Sequence, residues 1–318
     1  MGSSYSGTWV GGQVLVSAAL TVTLFAAAGY VPVIGILIGL VAPTPVLLVA
    51  LRHGRLPGVL GLSLATLSVA LLFGGLQSAV FFAEYGVLGF VMAEAIRRQW
   101  PVEKTLLLST VVPAAMSGMV LALLFSSVDL ELGTVKQHFE EELGQALRQL
   151  WADQGGSSAE TLRSYVQEAF ETVVQLLPAL FMLSTAAAAL LNYSVVRVVW
   201  RRLQGQPPIP RLMLAQWKAP EACVWVLIAS GICYFVPVTA LRLVGQNMLL
   251  LVSLIYLVQG LGVLAFYLNR TSMPPIFRAL AYIFLLIQPL FLVGVTAFGL
   301  FDLWFDFRHT GKKREGIQ

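Results

Sequence analysis

Charge is what this sequence has least of. Asp, Glu, Lys and Arg together make up only 11% of its 318 residues, against roughly a quarter in an ordinary soluble domain. Such a chain cannot cover a water-facing surface. Cysteine is nearly absent as well: Cys223 and Cys233 lie ten apart in one apolar run, on different faces of a helix, and match no disulfide or metal framework. The histidines (His53, His138, His309) are scattered, so no metal site is expected. No G-x-x-x-x-G-K-[ST] run occurs, so any coupling to ATP has to come from other chains. The excess of Lys and Arg, 20 against 16 Asp and Glu, accompanies no base-reading motif or basic stripe. It bears on membrane orientation, and no nucleic-acid partner is expected. No Lys or Arg precedes the first apolar run, which argues against a secretory leader; that run is read as a retained span.

Long apolar runs fill the space that charge leaves. About 20 apolar residues cross a bilayer, and such runs lie at 8–28, 31–51, 57–75, 77–96, 104–126, 173–197, 221–241, 246–267 and 278–304. They are too long for barrel strands, and backbone amides in lipid must be satisfied within their own segment. The expected fold is therefore all-α, a polytopic bundle of eight or nine transmembrane helices. Arg52, Arg55, Arg97, Arg98, Lys104, Arg197, Arg201, Arg202, Arg211 and Lys218 populate alternate gaps, and those gaps are expected to face the cytoplasm. Nine crossings would place Arg308, Lys312, Lys313 and Arg314 outside, against that tendency. Either 278–304 re-enters, bending at Gln288 and Pro289, or the tail lies outside.

Residues 127–171 carry nine acids against three bases, a net of −6, and are expected outside the cytoplasm. Leu132, Val135, Phe139, Leu143, Leu147 and Leu150 recur at helical steps. A second helix starts near Ser157, where Ser157 and Glu160 have capping-box spacing. The implied organisation is transmembrane helices over 1–126, an acidic extracytoplasmic helical hairpin over 127–171, a sixth transmembrane helix over 172–202, a basic cytoplasmic loop over 203–220 and a carboxy-terminal transmembrane block with a basic tail over 221–318.

Few polar residues sit inside the spans. Glu84, in AVFFAEYGVLGF, lies about seven residues, or roughly 10 Å, from the outer end of the fourth. A carboxylate there costs about 2–3 kcal/mol by insertion scales unless it meets a cavity, a partner or a proton. Tyr85 adds a hydroxyl and a ring. The alternative is a protonated Glu84 that only packs helices. Pro43 and Pro45 predict a break in the second span whose freed carbonyls could meet a ligand, and the break and Glu84 could border one chamber. Glu84, Tyr85, Pro43 and Pro45 are the substrate-binding candidates. Glu94 reads as a local pair with Arg97 or Arg98, and Asn192, Gln259 and Gln288 as interhelical hydrogen-bonding amides. Ala19, Thr23 and Ala27 repeat every four residues as a thin strip for close packing by a partner helix. Asp302, Trp304, Asp306 and Arg308 read as an interfacial anchor with a local ion pair rather than a metal or acid–base pair. With no arranged base, nucleophile or metal set, no catalytic residue is assigned and the chain is not expected to be an enzyme; no cofactor is implied.

Three stretches, GLFDLWFDFR at the carboxy end, TSMPP at 271–275 and LVAPTPVLLVALRHG, resemble the YybS-like family of predicted bacterial membrane proteins, which is functionally uncharacterised. The first six spans are also similar to the substrate-binding S components of energy-coupling factor transporters: a small-residue first helix, prolines in the second, and Gly58 and Gly61 opening the third. That resemblance implies a multi-pass protein of the bacterial cytoplasmic membrane that binds a small, polar or cationic molecule from outside. It also implies a transmembrane coupling subunit packed on the strip at Ala19, Thr23 and Ala27, with ATPases in trans. Thr23 departs from an all-alanine strip, and the 127–171 hairpin and the carboxy-terminal block are additions. The competing expectation is a non-transporting scaffold whose acidic hairpin recruits envelope proteins.

Overall fold

The computed structural model describes residues 4–30, 34–127, 157–205, 209–210, 217–271 and 273–308. Every regular element among them is a helix. Six helices are long and apolar enough to cross a membrane: Val10–Gly29, Arg55–Phe73, Gly75–Arg97, Val102–Leu123, Gln167–Gln204 and Thr239–Arg270. The chain is thus an all-α, multi-pass membrane protein, as its composition implies. The first helix of the expected acidic hairpin lies outside the described residues.

The chain divides into two compact units, the first Met1–Thr172 with Leu180–Pro210 and the second Val173–Ala179 with Arg211–Gln318. In the first, α1 (Ser4–Tyr30) packs on α2 (Ile34–Leu40), α3 (Thr44–His53) and α4 (Arg55–Phe73). A chain of α5 (Gly75–Phe81), a π-helical turn (Phe82–Gly86) and α6 (Val87–Arg97) lies against α7 (Val102–Ser127). Val14, Ser17, Ala18, Thr21 and Val22 are buried along one face of α1, the i, i+3, i+4 pattern of a packed stripe. Small residues set the spacing: a Cβ on Gly58 would collide with Ala50, and one on Gly61 would stand 3.3 Å from the Ser17 hydroxyl. Above them Phe25 meets Phe73, Phe81 and Tyr85 at centroid distances of 5.9, 5.0 and 5.8 Å, edge-on to Phe73 and Phe81 as ring quadrupoles prefer.

The second apolar run is broken where its prolines predict. α2 ends at Leu40, residues 41–43 turn, and α3 starts at Thr44. Pro43 and Pro45 donate nothing to the ladder, so the chain tightens: the amides of Ala42 and Thr44 donate to the carbonyls of Gly39 (2.9 Å) and Val41 (3.0 Å). The Leu40 carbonyl would be left over. Asn192 of α8 (Ser157–Gln204) donates to it from Nδ2 at 2.7 Å, while the Asn192 Oδ1 accepts from the Thr44 hydroxyl at 2.8 Å. This amide is fully buried and closes the break.

α8 runs for 48 residues with Pro178 inside it, about 72 Å at 1.5 Å per residue. Beside Pro178 lie the Ala179 amide and the Gln175 carbonyl, four residues apart on α8. Asn247 of α10 (Thr239–Arg270) stands between them, accepting from Ala179 N at 3.0 Å and donating to Gln175 O at 2.8 Å. An inserted side chain of this kind is a recognised cause of helix bending.

In the second unit α10 packs between α9 (Ala222–Phe235) and α12 (Pro289–Phe305). The seventh apolar run, expected over 221–241, is shorter as a helix: extended backbone at Val236 and Val238 flanks Pro237 and ends α9 after 14 residues. The ninth breaks at Gln288 into α11 (Pro275–Ile287) and α12, since Pro289 supplies no amide to continue the ladder. Gln288 takes its place at that break as the residue capping α11. α10 and α12 approach through glycines, because a Cβ on Gly260 would strike the Val295 carbonyl and one on Gly299 the Tyr256 carbonyl.

Replacing Asn192 by Leu strands the Leu40 carbonyl and the Thr44 hydroxyl in an apolar interior. The expected loss is about 1–3 kcal/mol, read as a lower thermal midpoint in detergent, and Asn192→Gln is expected to recover less than half of it.

Candidate functional site

Glu84 sits at the centre of the π-helical turn within the span Gly75–Arg97. A single π turn inside an α-helix is uncommon and recurs at functional sites. Gly86 ends the turn close against α4, since a Cβ added there would stand 3.0 Å from Leu62. Glu84 is half-buried and has no hydrogen-bond or ion-pair partner among the described residues. A carboxylate within a span that no cation or donor compensates is the arrangement expected of a ligand or proton site. Tyr85 turns away into the Phe25 cluster.

A cavity of ≈ 30 Å³ opens between α1, α3, α4 and α6. Pro43 and Tyr85 both line it, but neither Glu84 nor Pro45 does. The chamber expected between the break and Glu84 therefore contains only the first of those features. Neighbouring residues point about 100° apart around a helix, so the turn that aims Tyr85 into the cavity aims Glu84 elsewhere. Asn192 has also taken the carbonyl that the break would have offered a ligand. Walls of Val46, Leu47, Val59, Leu62 and Phe90 make the cavity apolar along most of its length. Its buried polar feature is the Thr21 hydroxyl, with the Thr21 residue 1% exposed and Oγ1 unpartnered.

At one end of the cavity stand Arg55, Glu94 and Arg97. Arg55 grips the Glu94 carboxylate through Nε at 2.9 Å and Nη2 at 2.5 Å, and Arg98 joins through Nε at 2.7 Å. The i, i+4 pairing with Arg98 follows from the sequence; the link to Arg55, 39 positions away, does not. Arg97 instead donates to the Ala50 carbonyl of α3. Beyond the helix end the Lys104 ammonium lies 4.3 Å from the Trp100 ring centroid, a cation–π contact.

On α1, Ala19 and Thr23 face outward while Ala27 is half-buried. The Thr23 hydroxyl folds back onto the Ala19 carbonyl at 2.9 Å, which leaves the strip smooth and without a free donor.

The carboxy-terminal candidates divide. Trp304 is exposed. Asp302 is completely buried and accepts from Arg308 Nη2 at 2.5 Å and from Gln259 Nε2 at 3.1 Å. Arg308 reaches back because Asp306 adopts a left-handed conformation, φ 41°, at the end of α12. The same cluster fastens the strand of chain before α9: Arg308 Nη1 donates to the Trp217 carbonyl at 2.7 Å, the Ala219 amide donates to Gln259 Oε1 at 3.0 Å, and Lys218 pairs with Asp306 at 2.7 Å. Asp302 and Arg308 thus form the interior of a clasp, whereas Lys218 and Asp306 form its wetter edge. Among the described residues no group of three or more His, Cys, Asp or Glu could hold a metal ion.

A family model described as "Predicted membrane protein (DUF2232)" matches residues 19–303, from the middle of α1 almost to the end of α12. The chain belongs to this DUF2232 family of predicted membrane proteins. It is also 22% identical over 312 residues to YybS of Bacillus subtilis (strain 168), an uncharacterized protein, with 95% of this chain and 97% of that one covered. No solved structure matches.

Within this DUF2232 protein, sequence reasoning passed over three groups. Asn247 is an ordinary amide until Pro178 is seen beside it in space. Arg55 looked like a loop cation and is the main partner of Glu94. Thr21 was one hydroxyl among many in α1, and only its burial and lack of a partner distinguish it. The clasp can be tested directly. Arg308→Met leaves Asp302 buried without its cation and is expected to cost about 3–5 kcal/mol, while the double variant Asp302→Leu with Arg308→Met recovers most of it. Urea unfolding in detergent, followed by tryptophan fluorescence, measures both.

Proposed function

We propose that this integral membrane protein is a small-molecule binding subunit of the S-component type, with Glu84 holding a polar or cationic group of the ligand and energy supplied by partner chains. The observation that carries the reading is the state of Glu84. It lies inside a span, half-buried, on a π-helical turn, with no partner of its own among the described residues. Leaving a carboxylate so placed costs stability, and a cationic or hydrogen-bonding ligand would return it. The broken second helix, the exposed Ala19 and Thr23, and the absence of a G-x-x-x-x-G-K-[ST] run from the sequence accord with a subunit that binds and depends on others for coupling.

A second reading, a scaffold, is favoured by one feature. α8 is about 72 Å long against a hydrocarbon core of about 30 Å, so more than half of it extends beyond the span it contributes. Its early part carries exposed Glu168 and Glu171, a surface suited to a partner outside the bilayer.

The two separate in one experiment, native mass spectrometry of the protein extracted from its own membranes. The binding reading expects a small-molecule adduct that Glu84→Gln weakens at least about tenfold, the scale of a lost charge-assisted hydrogen bond, and that deletion of 127–171 leaves in place. An adduct unchanged by Glu84→Gln removes Glu84 from the site. Loss of every stable protein partner on deletion, with no adduct in the wild type, supports the scaffold.

A further inference from the structure

The cavity beside α6 has a shape and a charge that suit neither a compact solute nor a cation. Pockets that take drug-sized ligands enclose roughly 300–1,000 Å³, and this one encloses ≈ 30 Å³. Its walls nevertheless run from Tyr85 to Arg97, about 18 Å along the helix axis. Two lining residues, Val59 and Phe90, are 42% and 49% exposed on apolar spans, so the cavity opens sideways toward the surrounding lipid. A narrow apolar slot with a lateral opening accommodates a hydrocarbon chain.

The charged end decides what such a chain could carry. Arg55 is matched by Glu94, and Glu94 is further engaged by Arg98. Arg97 has a backbone carbonyl and no carboxylate partner among the described residues, so one guanidinium lining the cavity is uncompensated. An anionic head would complete it. A zwitterionic head would bring an ammonium to a place where the one carboxylate is already held by two arginines.

Thr21 supplies the independent marker. Its hydroxyl is buried, lines the cavity and bonds to nothing, a cost that an acceptor in the cavity would relieve. Gln13 bonds His53, which fixes the register of α1 against α3. Thr21 is eight residues along α1 from that point, and Ala50, the Arg97 partner, is three residues along α3. Thr21 therefore stands roughly 7–8 Å deeper than the Arg97 contact, about the separation of a phospholipid phosphate and its ester carbonyls.

We propose that this crevice binds one chain of an anionic, ester-linked membrane phospholipid, with the phosphate on Arg97, an ester carbonyl accepting from Thr21 and the chain lying between α4 and α6. The site is separate from Glu84 and does not rest on the transport reading.

The test uses the full chain in a neutral detergent, with short-chain phosphatidylglycerol, phosphatidylcholine of the same chains, the ether-linked phosphatidylglycerol analogue, and glycerol 1-phosphate as the head alone. Thermal shift and native mass spectrometry read binding. Phosphatidylglycerol is expected to bind about fivefold or more tighter than phosphatidylcholine, the scale of one cation at a membrane surface, and Arg97→Gln to remove that preference while Arg97→Lys retains most of it. Thr21→Val, nearly isosteric, is expected to abolish the advantage of the ester over the ether lipid and leave the charge preference intact. Gly89→Leu is expected to weaken every lipid, because a Cβ there meets Pro43 at an ordinary 3.7 Å and the rest of the side chain fills the slot. Lys104→Gln, outside the lining and placed over the Trp100 ring, serves as the control and is expected to leave lipid selectivity unchanged. Equal binding of the two head groups, selectivity that survives Arg97→Gln, or a shift from glycerol 1-phosphate as large as that from the lipid each overturns the proposal.

Discussion

The structure depends first on a constraint that water would relax: inside a bilayer each backbone amide and carbonyl has to find a partner within the protein. Prolines at 43, 45 and 178 violate the helical solution to that constraint, and each break is closed by a side-chain amide. Asn192 takes the carbonyl released before Pro43 and is itself held by Thr44. Asn247 reaches the helix backbone next to Pro178 and bonds it twice, accepting from the Ala179 amide and donating to the Gln175 carbonyl. Each asparagine both mends a helix and joins two helices. Stability and bundle geometry therefore rest on the same few hydrogen bonds, and the irregular backbone of the second span is structural before it is functional.

Charges inside the protein follow the same logic with larger energies. Asp302 and Arg308 are tolerated at zero exposure because they face each other, Gln259 adds a donor and Trp217 an acceptor. Glu84 has the opposite status, a carboxylate within a span with no hydrogen-bond or ion-pair partner among the described residues. The contrast separates an acid that holds structure together from an acid without a partner among the described residues.

Much of this was legible in the chain. Eleven per cent charge and long apolar runs are enough for an all-α membrane protein, because lipid admits few alternatives. The break at Pro43, the bend at Gln288, the pairing of Glu94 with Arg98 and the use of Asn192 and Gln259 between helices follow from local chemistry. The π-helical turn was not legible, because FAEYG is compatible with an ordinary helix. The cavity was only half legible, since Pro43 and Tyr85 line it and Glu84 does not.

Sequence by itself determined the solvent, the helical class, the places where helices fail and the inventory of polar groups that have to be accommodated, because hydropathy and proline act on each segment locally. Tertiary structure decided which polar groups answer one another. Asn247 with Pro178, Arg55 with Glu94, Arg308 with Asp302, and the unanswered Thr21 and Glu84 are all settled by helix rotation and register. A rotation of one residue, about 100°, exchanges a buried neighbour for an exposed one, and that angle is fixed only when the helices pack.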